Sequence, residues 1–216
     1  MRLRNIPGAD DVVAQSPYCI KNPSEHRGSW CTYLGTGRPI HIEIGMGKGQ
    51  FLTQLATAHP DIHYIGIERY TSVLLRAVQK MEKNPTPPQN LHFLCMDAKE
   101  LADVFAPGEV ARIYLNFSDP WPKDRHARRR LTSPEFLKRY TAMLHKDGQL
   151  EFKTDNRDLF TYSLETIGAS EDWKLLASTF DLHNDAELSA GNVMTEYEEK
   201  FSARGNPICK LIAVLV

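Results

Sequence analysis

The densest group of chemically capable side chains lies in a short segment near the middle of the chain. It begins with Asn116, contains Asp119 in an Asp-Pro pair and Trp121 between two prolines, and leads into a cationic run. The preceding stretch 112–115 is typical of a strand, so the segment should begin where a strand passes into a loop. In open α/β sheets, ligands bind at that edge. A carboxylate, an aromatic face and several cations together suit a nucleobase and its phosphates.

The composition limits what the chain can be. With 216 residues, of which 42% are hydrophobic, it can bury one sizeable core, and we expect a single domain. The net charge is only −1, so affinity for nucleic acid must come from uneven placement of charge. The placement is uneven: residues 123–130 hold five Lys or Arg, whereas residues 165–200 hold nine carboxylates. One face can therefore be basic.

The cysteines and the chain start indicate a cytoplasmic protein. No Cys-x-x-Cys pair occurs, which disfavours a zinc knuckle or a disulfide framework. Cys95 and Cys209 fall inside predicted strands and are interpreted as core residues. Residues 1–4 do not begin a signal-peptide core, and no apolar run reaches membrane-spanning length. Pro60 between His59 and His63 argues against a shared helix face, so we expect no metal site.

Short β-branched runs alternate with helix-period segments from residue 40 onward, which indicates an α/β fold with a mostly parallel sheet and helices on both faces. The predicted helices are 50–58, 71–83, 98–104, 133–145, 156–168 and 195–202. Seven strands are predicted, the last two as a closing antiparallel pair: 40–44, 62–67, 91–95, 111–116, 149–153, 173–182 and 208–215. Residues 1–38 show little periodicity and are interpreted as an N-terminal arm or extension to a single domain, 39–216.

The first strand opens into a glycine turn, Gly45-Met46-Gly47-Lys48-Gly49, which lets the backbone approach a ligand closely. Gln50 stands where a dinucleotide-binding fingerprint requires a third glycine. By itself this turn is a weak signal.

Acidic residues end four predicted strands or follow them: Glu43, Glu68, Asp97 and Asp119. An acidic sheet edge repels a pyrophosphate but attracts a sulfonium and an ammonium, by about 4 kcal/mol per close pair. S-adenosylmethionine carries both charges. Glu68 is placed to accept the ribose hydroxyls, and Asp97 to receive the adenine amino group. The alternative is that such acids cap the following helices, as Asp97 can.

Five stretches together resemble the bacterial tRNA (guanine-N7)-methyltransferase family. The likeness covers nearly the whole chain, and residues 116–123 are its most specific part. The stretches are Glu-Ile-Gly-Met-Gly-Lys-Gly at 43–49, Tyr-Ile-Gly-Ile-Glu at 64–68, Asn-Phe-Ser-Asp-Pro-Trp-Pro-Lys at 116–123, Phe-Lys-Thr-Asp-Asn at 152–156 and Thr-Glu-Tyr-Glu at 195–198. The resemblance implies a Rossmann-like class I methyltransferase fold, S-adenosylmethionine as cofactor with S-adenosylhomocysteine as product, and a guanine in the variable loop of tRNA as substrate.

The resemblance also implies roles for particular residues. Asp119 would be the catalytic residue. The cofactor would contact Glu43, Gly45, Gly47, Glu68, Asp97, Ala98, Asn116 and Asp119. The substrate guanine or its surroundings would contact Lys123, Asp155, Thr195, Glu196, Tyr197 and Glu198. Asp124 and Ala127 depart from the basic or histidine residues expected in many relatives, which weakens the expected RNA binding but leaves the reaction unaffected.

Guanine N7 has a lone pair and no proton to remove, so methyl transfer to it requires alignment more than a strong base. We expect the Asp119 carboxylate to orient the guanine and stabilise the positive charge that forms on its ring. A turn-forming Asp-Pro is the alternative interpretation. Trp121 is either a hydrophobic plug beneath the loop or a platform on which an unstacked base lies.

Several of these residues have a second interpretation. Thr195 and Glu198 form a capping box in which each satisfies amides at a helix start, and Asp155 or Asn156 can cap the next helix. Charged runs are often simply solvated, but cations that follow an aromatic residue favour contact with RNA. The predicted RNA-binding residues are Trp121, Arg125, His126, Arg128, Arg129 and Arg130.

Three rival functions remain at this level. A methyltransferase acting on an exocyclic amine of adenine or cytosine, in RNA or DNA, would use a similar loop. A nicotinamide-dependent oxidoreductase would need the full glycine fingerprint and tolerance of pyrophosphate, both of which the sequence disfavours. A non-catalytic RNA-binding module would bind RNA without a cofactor. Either a monomer or a homodimer is compatible with the sequence.

Overall fold

The computed structural model describes residues 6–35 and 37–216, so the start at residues 1–4 that argued against a signal peptide lies outside the described part. The chain divides into two compact units, the first ending at Ala106 and the second spanning Pro107–Val216.

The first unit is built on three parallel strands in the order β3-β2-β1. All residues of β1 and β2 are buried, as expected for parallel strands covered on both faces. The elements are helix α1 (Ala9–Gln15), a 3-10 turn (Pro23–His26), α2 (Trp30–Tyr33), β1 (Ile40–Ile44), α3 (Gln50–Ala58), β2 (His63–Glu68), α4 (Thr71–Lys83), β3 (Leu91–Cys95), a 3-10 turn (Ala98–Glu100) and α5 (Leu101–Val104).

The segment before residue 38 contains helices that the sequence did not predict. Trp30 is fully buried, its Nε1 donates to the carbonyl of Val104 at 2.8 Å, and its ring stacks on Phe105. Helix α1 buries only Ala9 and Val13, so its apolar pattern is too short to register as a helix. The division into an extension, 1–38, and a domain, 39–216, stays a prediction.

Replacing Trp30 by Phe should lower the free energy of unfolding by about 2 kcal/mol, because it leaves the Val104 carbonyl without its donor and shrinks a filled site. Denaturant unfolding measures this. The Val12→Ala variant changes a residue of α1 that is 42% exposed, and should shift the value by less than about 0.5 kcal/mol. Equal effects of the two changes would mean that Trp30 does not anchor this segment.

The second unit contains four strands in the order β4-β5-β7-β6. β4 and β5 are parallel, whereas β7 is antiparallel to both β5 and β6, as predicted for the C-terminal pair. The elements are β4 (Val110–Asn116), a 3-10 helix (Asp124–Arg129), α6 (Pro134–Met143), β5 (Leu144–Thr154), α7 (Arg157–Gly168), β6 (Trp173–Thr179), a 3-10 turn (Leu182–Asn184), α8 (Glu196–Ser202) and β7 (Cys209–Leu215).

Two predictions need correction. The helix predicted to reach residue 145 ends at Met143, and β5 begins at Leu144, which pairs with Val110. The next paired residues are Arg112 and Gln149, so residues 145–148 form an insertion that a helix-period pattern cannot show. Cys209 is buried as predicted, but Cys95 is exposed because it ends β3, the outer strand of its sheet.

Candidate active site

The glycine turn after β1 has a backbone that only glycine adopts readily. Gly45, Gly47 and Gly49 have φ of 78°, 60° and 75°. The amides of Gly45 and Met46 both donate to the carbonyl of Ile67 in β2, at 2.8 and 3.1 Å. A Cβ built on Gly45 or Gly47 would meet no atom of the first unit within 4 Å. The turn therefore leaves open space beside its backbone.

Glu68 ends β2 and is 7% exposed. Its Oε2 accepts from the Gly47 amide at 3.2 Å and its Oε1 from the Tyr70 amide at 3.1 Å. Burial raises the pKa of this carboxyl above its ordinary value, although the amide donors oppose the shift. Each oxygen keeps a second lone pair, so the carboxylate can still accept from a ligand hydroxyl.

The other two predicted acids of this unit lie at the same ends of their strands. Glu43 is the fourth residue of β1 and is 2% exposed. Asp97 follows β3 and caps the turn that Ala98 begins, accepting from the Lys99 amide at 3.0 Å. Its Oδ2 lies 3.8 Å from Arg69 Nη1. The capping interpretation of Asp97 is confirmed, and one carboxylate oxygen remains for another donor.

The loop after β4 is strained at two aromatic residues. Phe117 and Trp121 have φ of 52° and 42°, in the left-handed region that residues other than glycine rarely adopt. This conformation costs about 1–3 kcal/mol of strain for each residue. The Phe117 amide donates to the carbonyl of Lys153 at 2.8 Å. Asn116, which ends β4, is 8% exposed, and Asp119 is exposed. Two of the three non-glycine residues with positive φ in the described part of the chain lie in this segment, and Asn22 is the third.

Trp121 is half-buried against cationic neighbours. Its ring packs edge-on against His126 at 5.8 Å, and the Arg129 guanidinium lies 4.8 Å from the ring centroid. Arg130 has a different environment, because its guanidinium donates to the Pro120 and Trp121 carbonyls and lies 4.2 Å from the Tyr162 ring. Arg130 thus holds the loop in place. The remaining cations of the run are exposed: Lys123, Arg125, Arg128 and Arg129.

Helix α8 begins with half of the predicted capping box. Thr195 accepts from the Glu198 amide at 3.0 Å, as predicted. The Glu198 carboxylate, however, is fully buried and accepts from Lys153 Nζ at 2.6 Å. The reciprocal half of the capping box is therefore wrong. Lys153 and Glu198 are 45 positions apart, so no local pattern in the sequence indicates that they are partners.

Tyr197 lies next to Asp155. The Tyr197 hydroxyl donates to Asp155 Oδ2 at 3.1 Å, and its ring packs on Phe117 at 4.8 Å and on Phe201 at 4.1 Å. Burial and the Asp155 carboxylate raise the pKa of Tyr197. Asn156, not Asp155, caps α7 by accepting from the Leu159 amide. The structure thus brings together two predicted substrate residues and a loop aromatic that the sequence did not identify. Glu196, between Thr195 and Tyr197, begins α8 and is half-buried.

Within residues 6–35 and 37–216, no group of three or more His, Cys, Asp or Glu side chains could hold a metal ion. In the same part of the chain, no helix is long and apolar enough to cross a membrane.

Solved structures show the class of fold. The 16S rRNA methyltransferase KamB matches 87% of this chain and 93% of its own length at a TM-score of 0.62 and 16% identity. The 16S rRNA (adenine(1408)-N(1))-methyltransferase of Catenulisporales acidiphilia matches 91% of this chain and 94% of its own length, at a TM-score of 0.64 and 15% identity. The predicted fold class, a Rossmann-like methyltransferase fold with a mostly parallel set of seven strands and an antiparallel C-terminal pair, is confirmed.

Comparison of sequences identifies the family to which the chain belongs. Residues 37–211 match the model of a family described as "Putative methyltransferase". A tRNA (guanine-N(7)-)-methyltransferase of Lachnoclostridium phytofermentans is 59% identical, over 99% of this chain and 98% of its own. One of Bacillus subtilis is 53% identical over 96% of each chain. The chain belongs to the tRNA (guanine-N7)-methyltransferase family.

Proposed function

We propose that this protein transfers a methyl group to N7 of a guanine in the variable loop of tRNA, in the cytoplasm, with S-adenosylmethionine as the donor. The observation that carries the proposal is the 59% identity, over 99% of the chain, to a relative named for this reaction. The match of residues 37–211 to the family model supports a methyltransferase domain at 39–216.

The residues of the first unit suit this cofactor. When bound, S-adenosylmethionine supplies an electrophilic methyl group on a sulfonium. The open space beside Gly45 and Gly47 gives a ligand access to the backbone. Glu68 would accept the ribose hydroxyls with its remaining lone pairs, and Asp97 the adenine amino group. Glu43 would face the cationic methionine portion, with Ala98 as a further contact.

The residues of the second unit suit a guanine. We assign Asp119 the catalytic role of orienting the base and stabilising the charge on the methylated ring. Asp155, beside the partly exposed Tyr197, would accept from the guanine amino or imino groups. Lys123 would pair with a phosphate close to the target base.

The exposed cations suit the tRNA backbone. One 3-10 helix contains three of them: Arg125, Arg128 and Arg129. His126 and Trp121 add ring surfaces for an unstacked base. The half-buried Arg130 would support this surface by holding the loop, so its contribution to RNA binding is mainly indirect.

Replacing Arg128 by Gln should weaken tRNA binding several-fold and reduce the slope of log K against log salt by about 0.7–0.9, since one phosphate contact is lost. Binding isotherms between low and moderate salt measure both. The matched control is Arg139→Gln, which removes a cation of α6 whose guanidinium donates to the backbone carbonyl of Glu135 in the same helix. An unchanged salt slope for Arg128→Gln would remove this residue from the RNA surface.

The direct test of the proposal is to incubate the protein with labelled S-adenosylmethionine and unmodified tRNA, digest the RNA and identify the labelled nucleoside. We expect N7-methylguanosine alone. Label in an adenosine or cytidine would establish the exocyclic-amine alternative. RNA binding with neither label nor thermal stabilisation by S-adenosylhomocysteine would establish a non-catalytic module.

A further inference from the structure

Glu198 has more polar partners than a helix cap requires. Its carboxylate is fully buried, accepts from Lys153 Nζ at 2.6 Å and from Asn192 Nδ2 at 2.8 Å, and lies 3.3 Å from His183 Nε2. These partners come from strand β5, from the connection before α8 and from the 3-10 turn at 182–184. One carboxylate thus joins three separate segments to α8.

Lys153 connects the same group to the loop after β4. Its Nζ also donates to the Val193 carbonyl at 2.8 Å and to Asn192 Oδ1 at 3.2 Å, so the ammonium has three acceptors. Its own carbonyl accepts from the amide of Phe117, two residues before Asp119. Lys153 is 4% exposed, so this arrangement excludes water. The residue therefore contacts both segments to which the guanine-binding role is assigned.

Stability alone does not account for this ion pair. Removing two charges from water costs several kcal/mol, and apolar residues of similar size are often at least as stabilising as a buried pair. A buried network with directional bonds instead specifies one arrangement of the chain. Here that arrangement fixes Tyr197, the neighbour of Glu198, against Asp155 and the Phe117 ring.

We propose that Lys153 is a positioning residue for the guanine-binding segments, acting through Glu198, and that Glu198 supports this site without contacting the substrate. The inference rests on the proposed function, because it assigns the guanine to Asp119, Asp155 and Tyr197. It changes the role that the family resemblance implies for Glu198, since a fully buried carboxylate with two donors and the His183 ring beside it has no free approach for a base.

The test compares Lys153→Met, Glu198→Gln and the double variant. Lys153→Met should raise KM for tRNA roughly tenfold or more through misplacement of the site, with S-adenosylhomocysteine affinity unchanged. Glu198→Gln should act in the same direction. The double variant has no buried carboxylate at position 198 that is left without the lysine ammonium. Its KM should therefore be roughly threefold lower than that of Lys153→Met.

If Glu198 bound the guanine directly, the double variant would be at least as impaired as Lys153→Met, which would overturn the inference. Arg112→Met is the matched control, because it removes another cation paired with a carboxylate of β5, Glu151, at 2.9 Å. It should lower stability without raising KM. An equal rise in KM for Arg112→Met would show that any loss of a β5 ion pair has this effect, and would also overturn the inference.

Should Lys153→Met fail to fold, Asn192→Ala removes one donor to Glu198 at a half-buried position. It should raise KM for tRNA roughly threefold, and an unchanged KM would contradict the proposal. Wild-type protein assayed in parallel separates the two claims. Absence of N7-methylguanosine from the wild type would refute the proposed function, whereas a normal wild type with unaffected variants would refute only the role of Lys153.

Discussion

The Asp119→Asn variant should methylate tRNA about 10²–10³-fold more slowly than the wild type while binding S-adenosylhomocysteine nearly as well. The amide keeps the size of the side chain but loses the negative charge that stabilises the cationic guanine ring. Asp119 is exposed in the loop after β4, so the change should leave folding intact. Single-turnover rates at saturating tRNA measure the effect on the chemical step.

Asp124→Asn is the matched control, because Asp124 is an exposed carboxylate five residues further along the chain, in the next 3-10 helix. Its single-turnover rate should remain within about twofold of the wild type. If Asp119→Asn were folded and equally fast, Asp119 would be a turn-forming residue of the Asp-Pro pair, and the catalytic assignment would fail.

The Glu68→Gln variant should bind S-adenosylhomocysteine about a hundredfold more weakly. The amide loses the charge assistance of hydrogen bonds to two ribose hydroxyls, at about 1–1.5 kcal/mol each. In the wild type, the two Glu68 oxygens accept from the backbone N–H groups of Gly47 and Tyr70. The glutamine side chain would therefore direct its NH₂ group at one of these N–H groups and lose that hydrogen bond. Isothermal titration measures the affinity. The control is Glu82→Gln on the exposed side of α4, which should leave it unchanged.

The same carboxyl should make cofactor affinity sensitive to pH. Burial raises the pKa of Glu68, so the ionised form that accepts the ribose hydroxyls is complete only above this raised value. Affinity should therefore be full at higher pH and decline as the pH falls through the pKa, earlier than for an ordinary glutamate. Glu68→Gln should flatten this decline. A wild-type affinity that is constant down to the ordinary pKa of a glutamate would exclude Glu68 as the ribose acceptor.

The sequence predicted most elements of the fold because their patterns are local. Strands such as β1 are short, isoleucine-rich runs between turn signals, and α4 ends where Asn84-Pro85 forbids its continuation. The sequence predicts Thr195 as a cap, and either Asp155 or Asn156 as another, because a cap bonds to residues within one turn, and the structure shows that the second is Asn156. The conformation at Trp121 was not predictable, since a positive φ in an aromatic residue follows from the surrounding loop.

The contacts that hold the second unit's site together join residues far apart in sequence. Lys153 and Glu198 are 45 positions apart, so neither the buried lysine in strand β5 nor the acid in α8 identified the other. Lys153 did not stand out in the sequence, because β5 also contains Gln149 and Glu151. Arg130 was grouped with its exposed neighbours because composition does not distinguish a guanidinium that binds loop carbonyls from one that faces solvent.

The most direct test of guanine N7 as the methyl acceptor uses a ligated tRNA in which 7-deazaguanosine replaces the guanines of the variable loop. This base keeps the ring size and the Watson–Crick edge but has carbon in place of N7. The substituted tRNA should bind normally, compete with unmodified tRNA and accept no methyl group, whereas the same tRNA with guanosine restored should be methylated. Methyl transfer to the 7-deazaguanosine tRNA at the wild-type rate would contradict guanine N7 as the acceptor.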